Sequence, residues 1–450
     1  MRAISSLDWR GGGDPGPGSL LLRRATVFDP RAEIDAVRDV VVRDGAVAEL
    51  AEPGTADEAD AEVVDAEGLT VLPAFFDPHV HLRTPGGEAE EEIETGTRAA
   101  AAGGYCGVVA LANTEPPVDD AGAIAALRER ARSDAAVPAG FVACVTRGMA
   151  GEELTEMAEL ADAGAVAFSD DGLPVASARV LRRALQYQRL VGLPIALHEE
   201  DPELSGDGVM HEGEVSALLG MAGIPSVSES TAVDRDAALA IDQQARIHVQ
   251  HLSAGQSVAA VAAAKAAGAR LTCEVTPHHL TLTDEAVMSL DSRFKMNPPL
   301  RSEDDRRALI DGLRAGTIDC VATDHAPHAS EEKEVPFEQA AMGVIGLETA
   351  FSAIYTELVV PGLLDLATTV ERLSAGAPAL GFEPPSLAPG SEANLVLVDL
   401  EAEWEAGAEG WESRSRNSCF EGRRLLGRVL MTVAGGRVAY RQRSFAMGVA

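Results

Sequence analysis

Eight short apolar runs, each followed by a segment of helical length, constrain this chain more than any other feature. The runs are residues 74–81, 107–112, 139–145, 165–169, 193–197, 246–251, 270–275 and 318–323. The pieces between them, such as 121–132, 177–191 and 257–267, are rich in Ala, Leu, Arg and Glu, which lose little freedom in a helix. Short apolar runs alternating with helices read as buried parallel strands. Eight such units predict an α/β fold with a closed (β/α)8 barrel over residues 73–384. An open doubly wound sheet is the alternative. The absence of a glycine-rich dinucleotide fingerprint after the first run counts against it.

The flanks read differently. Apolar runs at 19–28, 39–50 and 62–72 are separated by turn signals such as Arg43-Asp44-Gly45. Runs at 393–399 and 428–440 answer them near the other end, the second broken by Gly435-Gly436. Residues 19–72 and 385–450 together therefore predict one small β-rich sandwich built from both chain ends. Residues 1–18 contain Gly11-Gly12-Gly13 and Asp14-Pro15-Gly16-Pro17-Gly18 and read as a flexible N-terminal extension.

Composition excludes several function classes. Thirty-seven basic residues face 71 acidic ones, a net charge of −34. Nucleic acid and anionic membrane both need a basic surface, so neither is expected as a partner. No apolar run has the length of a membrane span, and the first residues lack the apolar core of a secretory signal. The five cysteines, at 106, 144, 273, 320 and 419, form no C-x-x-C pair. That spacing fits a reducing compartment, and a cytoplasmic location is expected.

In a (β/α)8 barrel the C-terminal strand ends converge on one face. Here they are polar. Run one ends in His79-Val80-His81, and Asp170-Asp171 follows run four. His198-Glu199 follows run five, run six contains His248 and ends at His251, and Asp324-His325 follows run eight with His328 close behind. Alternation along a strand puts His79 and His81 on one side. Imidazole and carboxylate are the usual ligands of zinc-like ions. Four histidines and two aspartates from different strands can hold two ions with a shared carboxylate. Such a pair suits hydrolysis, because it acidifies a bridging water and polarises the attacked carbonyl. Each residue alone has a plainer reading: an incidental His-x-His, a core His198, Asp324 as a helix N-cap. The coincidence of five strand ends favours the metal site. His278-His279 read as supporting residues, and His211 is given no role. The loop 326–343, with Ser330-Glu331-Glu332-Lys333-Glu334, reads as either a solvated charged loop or a lid.

Phe76-Asp77-Pro78-His79-Val80-His81-Leu82-Arg83 resembles the first-strand signature of the amidohydrolase superfamily. Phe168-Ser169-Asp170-Asp171-Gly172, Val275-Thr276-Pro277-His278-His279-Leu280, Lys295-Met296-Asn297-Pro298-Pro299-Leu300-Arg301 and Ala322-Thr323-Asp324-His325-Ala326-Pro327-His328 resemble the type I, long-chain bacterial dihydroorotases. The resemblance runs from about residue 20 to 440. It implies a zinc-dependent cyclic amide hydrolase that reversibly cyclises N-carbamoyl-L-aspartate to L-dihydroorotate in de novo pyrimidine (UMP) biosynthesis. It further implies one ion on His79, His81 and Asp324 and a second on His198 and His251, bridged by Asp171 and a hydroxide that attacks the substrate. Asp324 would be the general acid/base. His81, Arg83, Asn113, Asn297, His328, Met342 and Gly343 would contact the small-molecule substrate. The family admits a homo-oligomer and association with aspartate transcarbamoylase.

Two rivals remain at this stage. Hydantoinases, allantoinases and animal-type dihydroorotases bridge their metals with a carbamylated lysine at the end of strand four. This chain has Ser169-Asp170-Asp171 there, and its three lysines (265, 295, 333) all lie later, so no carbamylated lysine is expected. Arg83 also suits a substrate bearing a carboxylate. A non-catalytic scaffold subunit would typically have lost metal ligands, and here the set is complete. Three positions depart from the family pattern: Thr84 in place of an acid, Leu111-Ala112 before Asn113-Thr114, and Met342 before Gly343.

Overall fold

A parallel strand covered by helices outside and by its neighbours' side chains inside is buried on both faces. Phe75–Val80, Tyr105–Ala110 and Ala139–Ala143 are buried at every position. They are the first three of eight parallel barrel strands, followed by Ala167–Phe168, Ile195–Leu197, Arg246–Val249, Arg270–Val275 and Cys320–Val321. Each pairs with the next in chain order. A parallel bridge between Val80 and His325 joins the last to the first, with His81 N donating to His325 O at 2.8 Å. The molecule is a computed structural model that describes residues 1–11, 19–57 and 60–448. All eight expected strands are present, though the fourth and eighth are only two residues long.

The helices between them end where their caps dictate. In Ala178–Val191, Ser177 accepts from Val180 N and Gly192 closes the helix at φ +81, the left-handed conformation that glycine adopts without strain. Asp120 caps Ala121–Asp134 and Ser302 caps Glu303–Ala315 in the same way. The barrel core is mainly aliphatic. Near the start of strand one, Phe75 stacks on Phe351 at 5.3 Å and meets Tyr105 edge-on at 5.7 Å.

The chain ends build a second sheet. Its order is Arg437–Arg441, Arg424–Ala434, Leu395–Glu405, Thr70–Pro73, Ser19–Asp29, Ile34–Arg43, Ala46–Ala51, with Ala61–Asp65 also on Ser19–Asp29. The two ends meet where Leu72 pairs with Val396 in an antiparallel ladder. Leu22, Val27, Val40, Val71, Leu395, Leu397 and Met431 fill its core.

Residues 1–11 correct the expectation of a free extension. Ile4, Leu7 and Trp9 are buried. Ala139 N donates to Asp8 O at 3.1 Å and Arg2 N to Gly381 O at 3.0 Å. Ile4 sits so close to Gly107 that a Cβ there would come within 2.8 Å of it. Gly107 and Ala139 lie near the starts of strands two and three, so this segment covers the end of the barrel opposite the histidines. The apolar triplet anchors the segment: burial of three large side chains, together with these backbone hydrogen bonds to the barrel, offsets the cost of ordering it. Residues 12–18, the glycine- and proline-rich remainder, lie outside the described residues.

Candidate metal centre and active site

Strand one places His79 and His81 on the barrel mouth. Asp77, just before them, is fully buried and accepts from His79 N (3.0 Å), Thr323 N (3.2 Å) and Thr323 Oγ1 (2.6 Å). That carboxylate locks the ends of strands one and eight together. Three residues past strand ends, Arg83, His251 and Asp324, have φ of +53°, +30° and +47°. Non-glycine residues rarely adopt this region, at a cost of about 1–3 kcal/mol each, and they cluster at functional sites.

One carboxylate sits between four imidazoles. Asp171 Oδ2 lies 3.4 Å from His79 Nε2 and 3.5 Å from His81 Nε2. Its Oδ1 lies 3.5 Å from His251 Nε2 and 3.8 Å from His198 Nδ1. Asp324 Oδ1 approaches His81 Nε2 at 3.0 Å and His79 Nε2 at 3.4 Å. The donor atoms of His79, His81 and Asp171 fall within 4.8 Å of one another, as do those of Asp171, His198 and His251. His79 Nε2 and Asp171 Oδ1 are buried without a hydrogen-bond partner, a costly arrangement for a polar group unless a ligand satisfies it. The donor set therefore fits a divalent cation.

The electrostatics point the same way. Burial opposes charge on His198, yet Asp171 and Glu200 push it up to about 9. His79 rises well above its ordinary value against its own burial, drawn by Asp171, Glu274 and Asp324. Asp171 and Asp324 are themselves buried, and the surrounding histidines, His79 foremost, hold both below the usual carboxylate range. The pocket demands positive charge. A cation meets that demand with neutral imidazoles as ligands.

Three of the four rings are also gripped from behind. His79 Nδ1 meets Glu274 Oε1 at 2.6 Å, His81 Nδ1 meets Asn113 Oδ1 at 2.8 Å, and His198 Nε2 meets Glu200 Oε2 at 3.0 Å. Such contacts fix which nitrogen faces inward. Glu274 and Glu200 were not singled out from the sequence. Glu200 had a local signal, two residues past His198. Glu274 had none beyond being the acid of the seventh strand.

Asp170, beside Asp171, faces elsewhere: it accepts from Val145 N (2.8 Å), Thr146 N (3.1 Å) and Thr146 Oγ1. Asn297 Nδ2 donates to Glu200 at 2.8 Å. Arg83 Nε is held by Pro327 O and Glu90 Oε2, both at 3.1 Å. His328 Nε2 donates to Met342 O at 3.0 Å, and burial with the nearby Arg83 charge lowers its pKa to about 4. Gly343, at φ +143, lies against His328; a Cβ there would come within 3.0 Å of His328 Nε2. Its own N–H is donated to Lys295 O at 3.0 Å. His279 bridges Thr276 Oγ1 (2.8 Å) and Pro298 O (3.0 Å), steadying the segment that carries Asn297. His211 sits apart, 3.2 Å from Arg301 Nη1.

The loop 326–343 is pinned. Lys333 is buried and donates to Lys295 O (3.2 Å), Ala341 O (2.8 Å) and Gly343 O (3.0 Å). Asn417 Nδ2 donates to Ala326 O and Gly343 O at 3.0 and 3.1 Å.

Comparison with known proteins adds to this geometry. Residues 68–257 match the family model described as Dihydro-orotase-like. A dihydroorotase of Pelotomaculum thermopropionicum is 45% identical over 425 residues, covering 94% of this chain and 99% of its own. One from Anaeromyxobacter dehalogenans is 46% identical over 426 residues, covering 94% and 98%. Among solved structures, the L-hydantoinase of Arthrobacter aurescens superposes with a TM-score of 0.83 at 24% identity, covering 94% of this chain and 96% of its own. The dihydropyrimidinase of Brevibacillus agri superposes with a TM-score of 0.81 at 25% identity, covering 94% and 95%. The fold is thus shared with several cyclic amide hydrolases, whereas these two relatives above 40% identity over nearly the full length are both dihydroorotases. The chain belongs to the dihydroorotase family.

Proposed function

We propose that this protein interconverts L-dihydroorotate and N-carbamoyl-L-aspartate at the Asp171-centred site. The observation that carries the reading is the Asp171 carboxylate, with one oxygen turned to His79 and His81 and the other to His198 and His251. His79, His81 and Asp324 would hold one zinc ion and His198 and His251 a second, with Asp171 available to both. When bound, such ions acidify water and polarise the scissile carbonyl. Asp171 stands where related enzymes use a modified lysine, and the family membership favours a carboxylate-bearing substrate.

The chain's own groups do the rest. Arg83 offers its terminal nitrogens to the substrate carboxylate, since its Nε is committed to Pro327 and Glu90. Asn113 spends Oδ1 on His81 and keeps Nδ2 to donate. Asn297 spends Nδ2 on Glu200 and keeps Oδ1 to accept a ring N–H. His328 stays neutral at physiological pH and, with Met342 and Gly343, closes the substrate side. In ring opening, water adds to the amide carbonyl and the ring C–N bond breaks. Asp324 takes the water's proton and delivers it to the leaving nitrogen. The new carboxylic acid then releases a proton, so acid favours closure and alkali opening.

Among the described residues no helix is long and apolar enough to cross a membrane. A cytoplasmic location, self-association and docking to aspartate transcarbamoylase belong to this proposal on family grounds alone. Sedimentation of the protein with and without the transcarbamoylase checks the last two.

Turnover of L-dihydroorotate, dihydrouracil, hydantoin and allantoin by the purified protein tests the main reading, before chelation, after it and with zinc restored. Zinc-dependent opening of dihydroorotate alone is expected. Preference for another ring would overturn the substrate assignment.

A further inference from the structure

Inside the barrel, below the histidines, a second polar chain runs across three strands. Thr272 Oγ1 lies 2.8 Å from His248 Nδ1, and His248 Nε2 lies 2.9 Å from Glu274 Oε2. Glu274 Oε1 lies 2.6 Å from His79 Nδ1 and also accepts from His251 N at 3.2 Å. Gln250 completes the surround. Its Nε2 is 3.3 Å from His79 Nδ1, and its Oε1 accepts from Ser169 Oγ at 3.1 Å. Glu274 is fully buried, and His248 and Gln250 nearly so. A buried carboxylate is costly unless each oxygen is paired. Here both are, one by His79 and one by His248.

From this we infer that Glu274 is the positioning residue of the metal centre, with His248 as its holder. Strand seven contributes no ligand to either cluster, yet its single buried acid touches the ring of His79 from one cluster and the backbone of His251 from the other. A carboxylate behind a ligating imidazole fixes the tautomer, stops ring rotation and raises ligand basicity. Glu274 applies this to His79, whose Nε2 faces Asp171 and Asp324. His248 fixes the rotation of Glu274 and is fixed in turn by Thr272. The role rests on the proposed two-ion site and extends it to two residues that site does not contain.

Glu274→Met keeps the side-chain length and removes both acceptors. Glu274→Gln keeps an acceptor for His79 and removes the charge. His248→Gln leaves Glu274 in place and removes its holder. Zinc affinity is measured for each folded protein by competition against a chromophoric chelator, with zinc content per chain after dialysis as a second readout. Wild type is expected to retain two equivalents. In Glu274→Met one of the two equivalents, the one His79 would hold, should lose about 10–100-fold in affinity, with a smaller loss in Glu274→Gln and the smallest in His248→Gln. A purely packing role would lower the melting temperature and leave zinc affinity unchanged. If Glu274→Met does not fold, the other two variants decide. Wild-type zinc affinity in all folded variants overturns the role of Glu274 and leaves the two-ion reading standing. A wild-type chain that takes up no zinc overturns both.

Discussion

His198 Nδ1 lies 2.9 Å from His251 Nε2, the two rings meeting nearly at right angles with centroids 4.7 Å apart. Two imidazole nitrogens that close converge on one point, and Asp171 Oδ1 faces the same point. The other nitrogen of His198 is held by Glu200, which also receives Asn297 Nδ2. Glu200 thereby ties a proposed metal ligand to a proposed substrate contact.

Glu200→Gln should therefore affect both. Loss of the carboxylate behind His198 is expected to weaken one zinc ion about 10–100-fold, and turning of Asn297 should raise the KM for dihydroorotate. Zinc titration and steady-state kinetics at saturating zinc separate the two effects. A variant with wild-type zinc affinity would show that Glu200 serves Asn297 alone.

Arg83→Met tests substrate choice. A hydrogen bond to a charged group contributes about 1.5–3 kcal/mol, so KM for dihydroorotate should rise about 10–100-fold. The inhibition constant of dihydrouracil, which has no carboxylate, should not move. An equal loss for both compounds would assign Arg83 to holding the loop through Pro327 and Glu90.

Lys333 gives stability a definite pH dependence. Burial, with Lys295 nearby, lowers its pKa to about 8, whereas in the unfolded chain it titrates near about 10.4. Between these values the unfolded state holds the extra proton, so stability rises with pH. Relative to Lys333→Met, wild type should gain up to about 3 kcal/mol from pH 7.5 to 10.5. Urea unfolding of both proteins across that range measures the difference. A flat difference would mean that the three carbonyl contacts hold the charge at its ordinary pKa.

Deleting residues 1–11 should destabilise the barrel without altering its chemistry. Ile4, Leu7 and Trp9 lose their buried positions, a gross loss of about 3–6 kcal/mol after allowing for a compact unfolded state, and the net loss is smaller because the deleted segment no longer has to be ordered. The urea midpoint should fall while kcat and KM per folded molecule stay the same, because this segment covers the opposite end of the barrel. An unchanged midpoint would show that the segment adds nothing to stability.

The sequence by itself determined the alternation of strands and helices and the ligand-type residues at the strand ends. Both are local properties: a strand's period puts His79 and His81 on one side, and a parallel barrel gathers its C-terminal ends whatever the loops do. Its resemblance to a known family already named the residues now found around Asp171. Only the tertiary structure decided which oxygen of Asp171 faces which pair, and that Asp170 serves Thr146 instead. It also decided which acids stand behind the histidines. Glu274 lies 195 residues from His79 in sequence, and nothing in either segment specifies a lateral distance across the barrel. The N-terminal segment and Lys333 follow the same rule. A short apolar triplet beside glycines, or a lysine in an acidic loop, looks solvated in isolation, because burial is a property of the surface it meets and not of the residue itself.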